Sequence, residues 1–291
     1  MKLIRPLVLG AHGQVGEALC RLCQSQNIPV LGLGRAQAPL DNLVDLRDAL
    51  TAHIQAFGPA QIINAAAYTA VDRAETEPHL AHRVNAEAVG LIGEIAVAHG
   101  LPVVHYSTDY VFDGTKPTPY VETDTPNPQS VYGASKLAGE QAVDTSIDMV
   151  VRISWVCGFH GANMVKTILR IAAQQDTLTF VDDQIGYPTF ADDAAKMITR
   201  LATEARTGIW HVTNQGAVSW YEFTREVLRV AGHDPARVKP VRTRDLTPPR
   251  PAPRPANSVL DNAALRSAGI ALLDDFRLPL ARLVKRLVVH N

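Results

Sequence analysis

The sequence predicts an α/β protein: a doubly wound parallel sheet in the first half and a smaller C-terminal α/β lobe behind it. Three observations carry this. Short apolar runs alternate with longer amphipathic ones from Leu7 to Ile153, the pattern of successive βαβ units. The glycines of Gly10-Ala-His-Gly13-Gln-Val-Gly16 join the first apolar run to the first amphipathic one. A chain of 291 residues with 46% hydrophobic and 20% charged residues has the composition of a globular protein with a sizeable core.

Each element follows from its local pattern. Leu7 to Leu9 is a buried strand, and the helix after the glycine turn runs from about Val15 to Ser25. Val30 to Leu33 is a second strand, Leu46 to Phe57 a helix, and Gln61 to Asn64 a third strand. A long helix from about Leu80 to His99 precedes a fourth strand, Val103 to Ser107. Asp113 to Pro128 is rich in Pro, Thr and Asp and reads as a loop; it leads into a helix carrying Tyr132 and then the strand Met149 to Ile153.

The pattern then loosens. Helices are expected at Met164 to Gln174 and Ala191 to Thr203, and strands at Leu178 to Val181 and Trp210 to Val212. Ser219 followed by Glu222 is a capping box that opens a helix to Ala231. Five prolines between Thr247 and Pro255 exclude a helix or central strand there, leaving a linker or a substrate-covering loop before a final helical region. Residues 1–155 are therefore expected to bind a nucleotide cofactor and to include the Tyr132 helix, and residues 156–291 to form mainly a substrate-binding lobe with some segments returning to the first.

Bulk properties exclude other classes. A formal net charge of −1 gives no electrostatic reason for a nucleic acid or anionic membrane partner. No apolar run approaches the ~18 residues of a membrane span, and Met1 to Pro6 lacks the apolar core of a signal peptide. A cytoplasmic location is expected. Cys20 and Cys23 have redox-motif spacing but fall inside a helix with no second ligand pair, so they and Cys157 read as packing residues.

A strand–glycine turn–helix at the start of a βαβ series is a dinucleotide signal, which makes the fold Rossmann-type. Gly10, Gly13 and Gly16 let the backbone turn and approach a pyrophosphate, and the free N–H groups at Gln14 and Val15 attract the anion. His12 reads as incidental. At the end of the second strand stands Arg35, with no carboxylate before Asp41; a guanidinium there suits the 2′-phosphate of NADP(H). Asp45 and Leu46 are expected near the adenine, and Ala65-Ala66-Ala67 offers small side chains where the cofactor backbone passes.

Tyr132-Gly-Ala-Ser-Lys136 places a phenol and an ammonium on one helix face. A cation beneath the ring would favour the phenolate, and lowering its pKa by about three units takes roughly 4 kcal/mol. A tyrosine so tuned can exchange a proton with a carbonyl or alcohol oxygen. Asn85, in the long helix, is expected to support the Lys136 region through backbone or water contacts.

Together, the glycine turn, Ser107-Thr108-Asp109 and Tyr132-x-x-x-Lys136 resemble an extended short-chain dehydrogenase/reductase. Four further segments, Asn64 to Glu75, His105 to Gly114, Arg152 to Val156 and Arg254 to Ser258, are similar to the dTDP-4-dehydrorhamnose reductase family, over essentially the whole chain. The resemblance implies hydride transfer from a nicotinamide to C4 of a nucleotide-linked keto sugar, giving dTDP-L-rhamnose for bacterial surface polysaccharide. It implies Thr108, Tyr132 and Lys136 as the catalytic set, with Tyr132 protonating the alkoxide, Thr108 bonding the sugar oxygen, and Lys136 orienting the ribose. It also implies Thr108, Asp109 and Trp155 as sugar-nucleotide contacts and Ala67, Tyr68 and Thr69 as cofactor-lining positions. Trp155 reads equally as a packing aromatic. Arg254 is a candidate ligand for a diphosphate oxygen.

Members of this family can hold Mg²⁺ between subunits on two glutamates. The corresponding positions here are Ala18 and Asp192, and alanine offers no oxygen ligand. No metal is expected, and a homodimer stays open. Two rival readings remain. A dehydratase or epimerase of the same superfamily is disfavoured because a dehydratase needs an Asp-Glu pair where Asp109-Tyr110 stands, and because Arg35 points to exchangeable NADP. A non-catalytic NADP-binding protein, such as the regulatory subunit of methionine adenosyltransferase, is disfavoured by the intact Thr108, Tyr132 and Lys136.

Overall fold

Strand and helix alternate through the first half of the computed structural model, which describes residues 4–289. Residues 1–3, on which part of the signal-peptide reading rests, lie outside the described residues. β1 (Pro6–Leu9), α1 (Gln14–Ser25), β2 (Leu31–Leu33), α2 (Leu43–Phe57) and β3 (Gln61–Asn64) match the sequence expectation closely. α2 begins before Leu46 because Asn42 caps it, its Oδ1 accepting from the N–H groups of Val44 and Asp45.

The single long helix expected from Leu80 to His99 is instead divided. α3 (Val71–Ala74) and α4 (Pro78–His82) lead into a π turn over Arg83–Glu87, and α5 (Ala88–Ala98) follows. The wide turn directs the Asn85 side chain inward, where it is buried and bonded on both sides; such local bulges favour functional sites.

β4 (Val103–Thr108), α6 (Val131–Gln141) and β5 (Met149–Ile153) complete the first half. The later elements are β6 (Val156–Cys157), α7 (Met164–Ala172), β7 (Leu178–Val181), β8 (Ile185–Gly186), β9 (Thr189–Phe190), α8 (Ala191–Thr203), β10 (Gly208–His211), β11 (Val218–Ser219), α9 (Trp220–Val230), β12 (Val238–Val241), α10 (Ala263–Ser267) and α11 (Arg277–Val289). The Ser219 hydroxyl caps α9, accepting from the Glu222 N–H at 3.1 Å.

The main sheet has the order β10-β5-β4-β3-β1-β2, and every adjacent pair is parallel. Strand order reverses between β1 and β3, so the chain leaves these two strands on opposite sides and opens a crevice at their carboxyl ends. Both faces are covered. One core, including Leu19, Val151, Ala194 and Ile198, packs beneath α1 and α8; the other, including Leu9, Leu46, Ile62 and Ile92, packs beneath α2 and α5. A third core, around Val165, Ile168, Phe223 and Phe276, joins α7, α9 and α11 to β7 and β12. None of the described helices is long and apolar enough to cross a membrane.

The stretch 113–128, read as a loop, is held by the residues that follow the proline-rich segment. Tyr120 N–H donates to Val259 O at 2.8 Å, Asp261 N–H donates to Tyr120 O at 2.7 Å, and the Asn257 amide donates to Lys116 O at 2.7 Å. The stretch 113–128 is organised internally by Asp113, whose carboxylate accepts from Thr115 N–H, the Tyr120 hydroxyl and the Asn127 amide.

Candidate active site

A cleft of about 1010 Å³ lies over the crevice between β1 and β3. Gly10, Gly13, Gln14 and Val15 line its floor, and Gly34 and Arg35 one end. Ala67, Tyr68 and Thr69 line one wall; Thr108, Asp109, Tyr132, Lys136 and Trp155 line the other. Thirteen of the residues singled out from sequence thus share one surface.

The glycine turn is built by close approach. A Cβ on Gly10 would lie 2.7 Å from Ala66 N, and one on Gly16 would lie 2.2 Å from Gly10 O. Gly16 is therefore buried at the turn–helix contact and does not itself line the cleft. No side chain caps α1, so its amino terminus is left facing the cleft, an arrangement that attracts anions. His12, read as incidental, lines the cleft and lies against Gly34.

Asp45 and Leu46 are corrected. Leu46 is fully buried in the core beneath α2, and the Asp45 carboxylate accepts from the Asn42 amide at 2.7 Å in the first turn of that helix. Neither lines the cleft. The residues at that end are Ala38, Leu40 and Asp41. Arg35 is 80% exposed at the rim and paired with Asp41 at 2.5 Å.

α6 is held in place by contacts the sequence did not reveal. Its Glu140 is bonded bidentately to the buried Arg152 of β5, at 2.9 Å from Nε and 2.7 Å from Nη2. A Cβ on Gly139 would lie 2.1 Å from Asn85 O, so only glycine lets α6 approach the π turn this closely. Asn85 accepts from Tyr68 N–H at 2.8 Å and donates to the Ser135 hydroxyl at 2.9 Å. Its direct bonds tie the Tyr68 wall to α6, where backbone or water contacts to the Lys136 region were expected.

Tyr132 packs edge-on to Tyr110, ring centroids 5.6 Å apart, and its hydroxyl interacts with that of Thr108. The Thr108 hydroxyl donates to Asp109 Oδ1 at 3.0 Å and accepts from Tyr110 N–H at 3.2 Å. Lys136 donates to Tyr106 O at 2.6 Å and lies 3.3 Å from His105 Nε2. The expected acidification of the phenol is corrected. Burial pushes Tyr132 well above its ordinary value, the Thr108 bond opposes this, and Asp109 and Tyr110 add to it. Lys136 spends its Nζ on β4 and, desolvated there, drops to about 8.

Asp109 is buried and raised to about 6, first by desolvation, with the nearby Ser258 and Thr108 hydroxyls opposing. Its Oδ2 and the Ser107 hydroxyl have no hydrogen-bond partner among the described residues. Trp155 has a left-handed backbone, φ 46°, and stacks on Trp220 at 3.6 Å between centroids. A non-glycine residue rarely holds this conformation outside a constrained site.

Arg254 is also corrected. Its guanidinium is bonded to Asp72, Nη1 to Oδ1 at 2.6 Å and Nη2 to Oδ2 at 2.7 Å, and it lies outside the cleft lining. Its fork is already filled, so it is no free diphosphate ligand. The residues this chain offers do not fit a Mg²⁺ site either. Ala18 is buried, and Asp192 accepts from Arg21 at 2.6 Å and Arg286 at 3.2 Å, so guanidinium groups stand where a cation would. No group of three potential metal ligands occurs among the described residues. Ser258, Trp220, Tyr110 and His105 were not assigned roles from sequence. Ser258 and His105 lie inside the segments that carry the resemblance; for Trp220 no signal was present.

The family model described as RmlD substrate binding domain matches residues 4–289. The chain is 40% identical to the dTDP-4-dehydrorhamnose reductase of Streptomyces griseus over 283 residues, covering 94% of this chain and 90% of that protein. The crystal structure of the Clostridium acetobutylicum dTDP-4-dehydrorhamnose reductase superposes with a TM-score of 0.92 at 33% identity, covering 98% of this chain and 100% of the other. That of the Bacillus anthracis enzyme in complex with NADP superposes with a TM-score of 0.88 at 32% identity, covering 99% of each chain. A parallel sheet that reverses between β1 and β3, a glycine turn beneath it, and a Tyr–Lys helix beside it meet this likeness along the whole chain: it belongs to the dTDP-4-dehydrorhamnose reductase family.

Proposed function

We propose that the protein reduces the C4 ketone of dTDP-4-dehydro-6-deoxy-L-mannose (dTDP-4-dehydrorhamnose) to dTDP-L-rhamnose, with NADPH as reductant and Tyr132 as general acid. The observation that supports it most is the convergence of Tyr132 and Thr108 with the glycine turn on one cleft at the strand-order reversal. Gly10 and Gly13, the uncapped start of α1 and the Arg35 guanidinium at the rim fit NADP(H), which supplies the hydride when bound.

The residues then divide the work. Tyr132 gives its phenol proton to the former ketone oxygen; burial keeps that phenol protonated through the neutral range, as an acid for the reductive direction requires. Thr108 bonds both the phenol and the sugar oxygen, fixing the donor–acceptor line. Lys136 anchors the ribose edge from below, and Asp109 and the Trp155–Trp220 stack face the nucleotide sugar. Residues 1–155 hold the cofactor and residues 156–291 contribute the substrate wall, with β10 and α8 returning to the main sheet. The dehydratase reading is disfavoured by Tyr110, pushed to about 12 by burial where a second carboxylate would be needed.

NADPH oxidation on adding dTDP-4-dehydrorhamnose tests the proposal, and the same assay with the C5-epimeric 4-keto sugar tests the sugar. No oxidation with either would sink it.

A further inference from the structure

His105 is fully buried beneath the site, and the reductase reading assigns it nothing. Its surroundings determine which ring nitrogen carries the proton. Asn64, at the end of β3, accepts from Ala66 N–H through Oδ1 at 3.2 Å, and this orients its Nδ2 toward His105 Nδ1, 3.2 Å away. An amide NH₂ only donates, so Nδ1 must be the bare, accepting nitrogen. Buried and beside Lys136, the imidazole is held well below its usual pKa and is neutral. A neutral ring with a bare Nδ1 carries its proton on Nε2. That N–H faces Lys136 Nζ at 3.3 Å.

An ammonium has three donors and no acceptor, so a charged Lys136 would oppose one N–H to another. A neutral amine has a lone pair for His105 and still donates to Tyr106 O at 2.6 Å. We infer that His105 is a positioning residue: locked by Asn64 in the Nε2–H tautomer, it donates to Lys136 and favours the neutral amine over the ammonium in the cofactor-free protein. The inference rests on, and deepens, the assignment of Lys136 to the reductase site.

The other groups around Lys136 do not offset this preference. Glu140, on the same helix, raises its pKa but is shared with the buried Arg152. Tyr132, Tyr106 and Tyr110 are held protonated by burial, and Asp109 is raised toward neutrality. On α3, Asp72 is bound to Arg254 and Arg73 to Glu77, while Glu75 accepts from Val131 N–H. On α4 and the π turn, His79, His82, Arg83 and Glu87 face solvent. Desolvation dominates, bringing Lys136 to about 8, so the ammonium is weakened and the amine predominates only above that pH.

Asn64→Asp tests this with almost no change of shape. The carboxylate still accepts from Ala66 N–H, but it bonds His105 only as an Nδ1–H donor, which turns the bare Nε2 toward Lys136 and favours the ammonium. Nitrogen-15 NMR of the cofactor-free protein is expected to show Nε2–H in the wild type and Nδ1–H in N64D. The ε-methylene carbon of Lys136 should titrate well below an ordinary lysine in the wild type, and roughly one pH unit or more higher in N64D. A wild-type Nδ1–H tautomer, or a wild-type Lys136 midpoint near the ordinary ~10.4, overturns the inference, whether or not the variant folds. These spectra need no substrate, so absent ketone reduction would count against the reductase proposal alone.

Discussion

Arg254 and Asp72 lie 182 positions apart in sequence and form a bidentate ion pair at 2.6 and 2.7 Å. The pair pins the proline-rich segment to the start of α3, and Ala252 N–H adds a third bond to the same carboxylate at 3.2 Å. Arg254 is 10% exposed and Asp72 36%. Arg254→Ala should therefore lower stability by about 1–2 kcal/mol, less than a fully buried pair because solvent screens the carboxylate. The Arg254 bond holds the Asp72 carboxyl below its ordinary range. That contribution is fully present above about pH 4 and is lost as pH falls through the lowered value. Urea titrations of wild type and variant should converge in acid; a constant difference between pH 7 and pH 2 would contradict the pairing.

Tyr132→Phe keeps the ring and removes the proton. Ketone reduction should fall by about 10²-fold or more, while NADPH binding, read by fluorescence, stays within a few-fold. Normal turnover in this variant would transfer the acid role elsewhere.

Asp109 is an ionisable group whose charged form the fold disfavours, with a value raised to about 6. The penalty is absent below about pH 4, grows as pH rises toward 6, and is complete above it. Asp109→Asn should raise stability at pH 8 by up to about 3 kcal/mol and change little at pH 4. Thermal melts at the two pH values measure this, and the same variant should weaken substrate binding.

Gly186 sits against the Trp155 ring: a Cβ there would lie 2.7 Å from Cε2. Gly186→Ala must displace the indole from its stack on Trp220. KM for the nucleotide sugar should rise roughly tenfold, with NADPH affinity unchanged. Equal loss of both affinities would show that the indole is not a substrate-side wall.

Arg35 stands free enough at the rim to meet a phosphate, held meanwhile by Asp41. Removing one charge-assisted contact is worth about 1.5–3 kcal/mol, so Arg35→Ala should cut the preference for NADPH over NADH by about tenfold or more. Steady-state kinetics with both cofactors would show it; an unchanged ratio would move 2′-phosphate recognition to another residue.

The main sheet, the glycine turn and most of the residues that line the cleft were legible in the sequence because each is signalled locally. A buried parallel strand needs a continuous apolar run, a turn toward a pyrophosphate needs glycine, and residues four apart share a helix face. Leu46 failed for the complementary reason: one helical position from Asp45, it turns into the core, a distinction of angle that spacing alone does not carry. The long helix was read as continuous because its apolar residues run on, yet the inward demand of Asn85 opens a π turn.

What the chain determined by itself was composition of the site: which phenol, which lysine, which threonine, and a guanidinium at the end of β2. What only folding decided was their electrostatic state and their partners. Arg254 became a strap because the proline-rich segment comes to rest on Asp72, and Lys136 turned from the Tyr132 ring to β4 because a carbonyl and an imidazole wait there. Proton affinity and ion pairing depend on burial and on neighbours distant in sequence, and these exist only once the strands and helices have closed around them.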